Sequence, residues 1–160
     1  MKKTLTVEYE MFEDISALPE TDAQLLNRAR QDTTLAYAPY SQFNVAAVGL
    51  LDNGTLLSGT NQENASYPVG ICAERTLLSA ISSQYPTNKA VAIAISYHNK
   101  LNESDKPISP CGICRQTLAE YEQRWNGSIK LILSGLKGKV IVLQSVKDIL
   151  PFSFSADDMK

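Results

Sequence analysis

Residues 91–95 read Val-Ala-Ile-Ala-Ile, an unbroken apolar run in the middle of the chain. A strand that is apolar on both faces is typical of the centre of a sheet covered by helices on each side. Upstream, the apolar stretches 43–51 and 55–59 flank the turn sequence Asp-Asn-Gly at residues 52–54, which favours a β-hairpin. These stretches predict a layered α/β protein that contains one hairpin.

Three helices and two further strands are predicted around this central run. Helices are expected over residues 20–37, 72–84 and 111–125, and strands over residues 129–133 and 140–143. Thr21 or Asp22 is the expected cap of the first helix, and Ser109 followed by Pro110 resembles the start of the third. The pattern predicts a three-layer α/β/α sandwich around a mixed sheet of about five strands, in an order that it does not reveal.

The size and composition of the chain are those of one domain. It has 160 residues, of which 44% are hydrophobic and 20% are charged, a balance that supports a single core. We expect residues 18–160 to form this domain. Residues 1–17 have no strong period and are expected to form either a partly ordered tail or an edge strand.

Charge and hydropathy disfavour several kinds of partner. The formal net charge of -2 leaves no excess of Lys and Arg to neutralise a phosphate backbone, which disfavours nucleic acid as a partner. No apolar run approaches the roughly 18 residues that cross a bilayer, and polar residues interrupt the N-terminus before an export signal could form. The sequence therefore predicts a cytoplasmic protein without a membrane partner, in which cysteines stay reduced.

The chain has three cysteines, and all lie where two predicted helices begin. Cys111 and Cys114 are three residues apart, a spacing that suits one metal ion but also a buried or redox-active thiol pair. Cys72 favours the metal, because three thiolates form the ligand set of a catalytic zinc with one open position. The single histidine, His98, is the remaining candidate for a fourth ligand, although its place at a strand end is typical of an ordinary surface or core residue.

Charged residues accompany the cysteines. Glu74 follows Cys72 by two residues, so a carboxylate lies beside the predicted metal and could carry protons. The alternative for Glu74 is an acidic residue favoured by a helix N-terminus. Arg75 and Arg115 are predicted to offset the negative charge of the thiolates by donating hydrogen bonds to them, unless they are ordinary surface arginines.

The order Cys-x-Glu at residues 72–74, then Pro-Cys-x-x-Cys at residues 110–114, is the pattern of zinc deaminases. From Tyr37 to Phe154 the chain resembles the cytidine deaminase family, in its branch with three cysteine ligands. Tyr-Ala-Pro-Tyr-Ser-Gln-Phe at residues 37–43 and Gly-Thr-Asn-Gln-Glu-Asn at residues 59–64 extend the resemblance. Three features depart from the family: Ala46 replaces a usual glycine, the 99–107 loop is longer than in compact members, and the N-terminal tail is extra.

The resemblance implies one Zn²⁺ per subunit and the hydrolysis of cytidine or deoxycytidine to uridine or deoxyuridine, in pyrimidine salvage. Glu74 would move protons between the metal-bound water and the pyrimidine. Asn61 and Glu63 would bind the ribose hydroxyl groups, as an amide and a carboxylate can. Phe43 would lie beside the base, and the backbone of Ala73 would hold the pyrimidine. Without the resemblance, residues 61–64 would be a polar loop and Phe43 a core residue.

Members of this branch form homotetramers in which neighbouring subunits complete each active site. The resemblance implies that an aromatic residue near the C-terminus covers the neighbour's base. Phe154 fits that position better than Phe152, and Tyr67 is a further candidate to reach a neighbouring site.

Other functions share parts of this pattern. A deaminase of nucleic acids would need a cationic groove, which the acidic composition disfavours. A deaminase of a nucleoside antibiotic such as blasticidin S is disfavoured by the sugar-binding residues 61–64. A non-catalytic zinc module is disfavoured by Glu74 beside an open metal position. A thiol redox protein would lose function on Cys111→Ser without any bound metal.

Overall fold

Strand β4 (Ala90–Asn99) lies inside a six-stranded mixed sheet, as its apolar sequence predicts. The computed structural model describes all 160 residues. The other strands are β1 (Glu10–Phe12), β2 (Phe43–Leu51), β3 (Leu56–Thr60), β5 (Lys130–Ser134) and β6 (Val140–Leu143). Their order across the sheet is β1-β6-β5-β4-β2-β3. β4 and β5 are parallel, and all other neighbours are antiparallel.

The sheet has one strand more than the expected five, because β1 adds an edge to it. β1 belongs to the N-terminal segment 1–17 and pairs with β6, with Glu10 opposite Val142 and Phe12 opposite Val140. The predicted hairpin of β2 and β3 is present, with five residue pairs from Ala46–Thr60 to Leu50–Leu56.

The helices are α1 (Glu20–Asp32), α2 (Ala73–Gln84) and α3 (Gly112–Trp125). α1 is shorter than predicted, because residues 33–35 tighten into a 3-10 turn. Its expected cap was wrong: Pro19 is the N-cap, and Asp22 is buried with its carboxylate 2.6 Å from Lys130 Nζ. The expected cap of α3 was also wrong, since Cys111 rather than Ser109 is the N-cap. Cys111 has a non-helical backbone with φ -67° and ψ 167°, so α3 begins at Gly112 and Pro110 lies outside it.

The helices form two layers, one on each face of the sheet. Alternate residues of β4 point to opposite faces. Ala92 and Ala94 belong to the core under α1, whereas Ile93 and Ile95 belong to the core under α2 and α3. All four side chains are at most 2% exposed. The three-layer α/β/α sandwich is therefore confirmed.

The chain order of the elements brings two helix starts to one edge of the sheet. β3 and β4 are both antiparallel to the β2 strand between them, so they run in the same direction as each other and as β5. α2 joins β3 to β4, and α3 joins β4 to β5. Each helix follows a strand of this set, so its N-terminus lies near the carboxyl ends of these strands. Both helices lie on the same face, so the two N-termini are close together at the edge where α/β folds bind ligands.

None of the helices has the length and apolar content needed to span a lipid bilayer.

Gly59 sets how closely α2 approaches β3. A Cβ at this position would collide with the Leu77 backbone nitrogen and would lie 2.6 Å from the Ala73 carbonyl oxygen. Gly59→Ala is therefore expected to lower the free energy of unfolding by about 3 kcal/mol, the upper end of the usual cost of overpacking. Urea denaturation measures the change.

Gly127→Ala is the matched control for Gly59→Ala, because the nearest atom to its added Cβ is Lys89 Nζ at 3.5 Å. We expect a change of less than about 1 kcal/mol for this surface position. Equal losses in the two variants would contradict a special role for Gly59.

Candidate active site

The three cysteines meet at the shared sheet edge. Cys72 is the N-cap of α2 and Cys111 is the N-cap of α3, and neither side chain caps its helix. Cys114 lies in the first turn of α3 and is fully buried. The uncapped helix starts present backbone N–H groups and positive dipole ends to the sulfur atoms, which favours thiolates.

The sulfur positions fit a zinc ion. The Sγ atoms of Cys72 and Cys111 are 4.0 Å apart. All three sulfurs lie within 4.8 Å of one another. Tetrahedral coordination with Zn–S bonds of about 2.3 Å requires S···S distances of about 3.8 Å, so small side-chain shifts suffice. His98 pairs with Asn44 across β4 and β2 and does not belong to this cluster.

The thiols perturb one another. The neighbouring Cys114 thiol, more than any other group, lowers the pKa of Cys72 to about 6. Cys72, together with burial, raises the pKa of Cys114. At neutral pH the negative charge of this pair therefore lies on Cys72 rather than on Cys114.

Glu74 lies in the first turn of α2 and is only 5% exposed. Burial raises the pKa of its carboxyl group above the usual value. A carboxyl group in such surroundings exchanges a proton more readily near neutral pH than an exposed one. Glu74 and the cysteine cluster thus bring an acid–base group and a metal site to the same helix start.

The two arginines that follow the motif residues behave differently. The positive charge of Arg75 contributes to lowering the pKa of Cys72, after the larger effect of Cys114. Arg115 donates hydrogen bonds to Pro110, Ser109 and Ile149 instead. These bonds use three of its five N–H groups, and none of them is to a cysteine sulfur. The charge-tuning role of Arg115 stays a prediction.

The polar loop after β3 is held in place by backbone contacts. Asn61 accepts a hydrogen bond from the Val45 amide at 2.7 Å and donates to the Phe43 carbonyl oxygen at 2.9 Å. One amide hydrogen and one lone pair of Asn61 stay available to a ligand. Loop residues Gln62 and Ile71 bond to each other through both backbone groups, which brings residues 61–63 beside the start of α2.

Glu63 faces a cavity of about 370 Å³ that is also lined by Tyr40, Ser41 and Tyr67. Its Oε2 accepts hydrogen bonds from the amides of Tyr40 at 2.9 Å and Ser41 at 3.3 Å. The side chain of Ser41, followed by these amides, lowers the pKa of Glu63, which keeps the carboxylate ionised. The amides of residues 40 and 41 are functional groups that the sequence did not single out, since a backbone donor leaves no sequence signal.

Phe43 stacks on Tyr97 with ring centroids 4.9 Å apart and an angle of 14° between the planes. One face of Phe43 is thus taken, and the ring is only partly buried. Tyr97 was missed in the sequence because it lies in the apolar central strand. Ala73, the first residue of α2, has no exposed surface.

The aromatic residues predicted to reach a neighbour are exposed. Tyr67 is 75% exposed and packs edge-on against Tyr40 with centroids 5.8 Å apart. Phe152 is 99% exposed in a left-handed conformation with φ 58°. Phe154 is 60% exposed, and its carbonyl oxygen accepts a hydrogen bond from Gln116 Nε2 at 2.8 Å.

An α/β sheet with three converging cysteines and a buried carboxyl group defines the class of protein as a metal-dependent hydrolase. Residues 19–125 match the zinc-binding region of cytidine and deoxycytidylate deaminases. The chain is 37% identical to the cytidine deaminase of Sporosarcina psychrophila over 137 aligned residues. The alignment covers 85% of this chain and 93% of that protein.

Solved structures give the same result. The crystal structure of cytidine deaminase from Burkholderia pseudomallei matches with a TM-score of 0.70 and 35% identity, over 86% of this chain and all of that one. Blasticidin-S deaminase from Bacillus cereus is a weaker relative, 24% identical over 86% of this chain and 95% of that protein. The chain belongs to the family of cytidine and deoxycytidylate deaminases. Its cofactor is zinc, for which the cluster of Cys72, Cys111 and Cys114 has the fitting donor atoms.

Removing one sulfur tests the metal site. Cys114→Ala is expected to lower zinc affinity at least about 100-fold, because two sulfurs alone leave the tetrahedral site half built. Metal content after dialysis against a weak chelator measures the loss. His98→Asn is the control and should retain one zinc per chain; loss of zinc from this variant would place His98 at the metal.

The charge on Cys72 can be measured in the metal-free protein. Alkylation by iodoacetamide requires the thiolate, so the reaction should be slow below and fast above a midpoint of about pH 6. Cys114→Ala removes the thiol that contributes most to lowering the pKa of Cys72, so the midpoint should move to higher pH. An unchanged midpoint would contradict the contact between these sulfurs.

Proposed function

We propose that this protein hydrolyses the 4-amino group of free cytidine or deoxycytidine and releases ammonia, giving uridine or deoxyuridine for pyrimidine salvage. The observation that carries the proposal is the approach of three sulfur atoms to within 4.8 Å of one another next to a buried glutamate. Such a cluster leaves the fourth tetrahedral position for solvent, which a purely structural zinc site does not.

The proton chemistry falls to Glu74. When bound, zinc supplies a Lewis acid that lowers the pKa of a coordinated water, so that a nucleophile is available at neutral pH. Glu74 accepts a proton at its carboxylate oxygen as the water oxygen bonds to C4 of the pyrimidine, and it delivers this proton to N3. It then takes the second proton from the new C4 hydroxyl group and delivers it to the amine, which leaves as ammonia as the C4–N bond breaks and the C4 carbonyl forms. The raised pKa of Glu74 suits a group that both takes and gives protons.

The remaining residues bind and orient the nucleoside. Glu63 keeps one carboxylate oxygen free of protein hydrogen bonds, and Asn61 keeps one donor and one acceptor. Both suit a sugar diol. Phe43, backed by Tyr97, offers an aromatic surface to the planar base.

A free nucleoside is favoured over other substrates. The net charge of -2 does not suit a polynucleotide, and Glu63 would repel a phosphate near the cavity that it lines. Blasticidin S is the second candidate substrate. The lower identity of the blasticidin-S deaminase, 24% against 37% for the cytidine deaminase of Sporosarcina psychrophila, makes it the weaker one.

We infer a homotetramer in which neighbouring subunits complete each active site. The exposed aromatic side chains of Tyr67, Phe152 and Phe154 support it. In this proposal residues 18–160 form the deaminase domain of each subunit, and β1 of the N-terminal segment adds an edge strand to its sheet. A cytoplasmic location suits a cluster that needs three reduced thiols. Light scattering on the purified protein tests the assembly, and a monomeric mass would contradict it.

Glu74→Gln tests the mechanism, because an amide keeps the size of the side chain but cannot carry the proton. With zinc content unchanged, kcat for cytidine should fall at least about 1000-fold. The decrease in absorbance on deamination of cytidine, deoxycytidine and blasticidin S measures turnover of each substrate by the unmodified protein.

Glu120→Gln, an exposed position of α3, is the control and should retain full activity. Full activity of Glu74→Gln would show that another group carries the proton. Turnover of blasticidin S alone would replace the cytidine assignment.

A further inference from the structure

Arg115 of α3 bonds to two other parts of the chain beside the cysteine cluster. Its Nε donates to the Pro110 carbonyl oxygen at 2.8 Å, and its Nη2 donates to Ser109 Oγ at 3.0 Å. Its Nη1 donates to the Ile149 carbonyl oxygen at 3.1 Å. The first two contacts hold the residues directly before Cys111, and the third holds the start of the C-terminal segment.

Gln116 holds the same C-terminal segment at its other end. Its Nε2 donates to the Phe154 carbonyl oxygen at 2.8 Å. Two consecutive residues of α3 therefore bind both ends of residues 149–154. That stretch contains Phe152, whose φ of 58° is unfavourable for a residue with a large side chain and needs surrounding contacts to persist.

The position of Cys111 depends on these contacts more than that of the other cysteines. Cys114 is fixed by burial and Cys72 is half-buried, but Cys111 is exposed and makes no capping hydrogen bond. The backbone before Cys111 thus determines where its sulfur lies. Bonds from a guanidinium group are charge-assisted and directional, so Arg115 fixes this backbone better than a lysine would.

We propose that Arg115 is a positioning residue that couples zinc retention at Cys111 to the order of the C-terminal segment, residues 149–154. The coupling is reciprocal: zinc holds the start of α3 in place, and the ordered start of α3 holds the segment that carries Phe154. The inference deepens the proposed function and rests on it only for the task of Phe154 at a neighbouring site.

The test measures zinc transfer from the loaded protein to a chromophoric chelator. Arg115→Lys keeps the positive charge but loses the planar group that donates three hydrogen bonds. The rate of zinc transfer should rise about tenfold, the effect expected from losing one or two charge-assisted hydrogen bonds. Ser109→Ala removes one acceptor and should give a smaller rise of about threefold. It also keeps the test valid if Arg115→Lys does not fold.

Hydrogen exchange measures the order of the C-terminal segment, the second property that the proposal couples. Removing zinc from the unmodified protein should speed amide exchange at the two ends of this segment, where the Leu150 amide donates to the Lys147 carbonyl oxygen and the Ser155 amide donates to Asp158 Oδ2. In Arg115→Lys, exchange there should already be fast and should change little on zinc removal. Gln116→Ala should speed exchange in this segment and raise the zinc transfer rate about threefold.

Arg30→Lys is the matched control. Arg30 also donates to a carbonyl and a hydroxyl oxygen, those of Gly135 and Ser134, but on the α1 side of the sheet. It should lose stability without faster zinc transfer. Wild-type zinc transfer in Arg115→Lys, or an equal rise in Arg30→Lys, would overturn the proposal. Absence of cytidine turnover with these results intact would overturn only the proposed function.

Discussion

The approach of two helix starts to one edge of the sheet is the constraint on which the site depends. β3, β4 and β5 run in the same direction, and α2 and α3 connect them across one face. The two helices are held side by side, with Ser82 Oγ donating to the hydroxyl group of Tyr121 at 2.9 Å. Both helices begin at this edge of the sheet. The Sγ atoms of Cys72 and Cys111 therefore lie 4.0 Å apart, although 39 positions separate the two residues in the sequence.

Neighbouring groups set the charges at this edge. The Cys114 thiol lowers the pKa of Cys72, while burial raises the pKa of Glu74, so two nearby acidic groups are pushed in opposite directions. Such a separation is typical of sites where one group binds a metal and another exchanges protons. On the sugar side, the Ser41 side chain and the backbone amides of Tyr40 and Ser41 keep Glu63 ionised, so its role as a hydrogen-bond acceptor is prepared before a ligand arrives.

Contacts of the C-terminal segment extend the site beyond the metal. Arg115 and Gln116 follow Cys114 directly, yet they bind Ile149 and Phe154 rather than the sulfur atoms. The same helix turn therefore carries a metal ligand and the anchors of an exposed aromatic segment. At the other end of α3, the buried side chain of Glu122 accepts hydrogen bonds from the amides of Ile129 and Val146. These bonds connect α3 to the residues just before β5 and just after β6.

The sequence alone determined the layered fold and the three-cysteine zinc cluster, and it predicted Glu74 as the proton carrier, because these depend on local periodicity and on residue types that few other functions need. The apolar run at residues 91–95 indicated a doubly covered strand, and the Cys-x-Glu and Cys-x-x-Cys spacings indicated zinc. Only the tertiary structure decided the strand order, the edge strand at residues 10–12 and the partners of Arg115. These depend on pairings between distant segments, and neither a backbone amide nor the direction of a long side chain has a signature in the sequence.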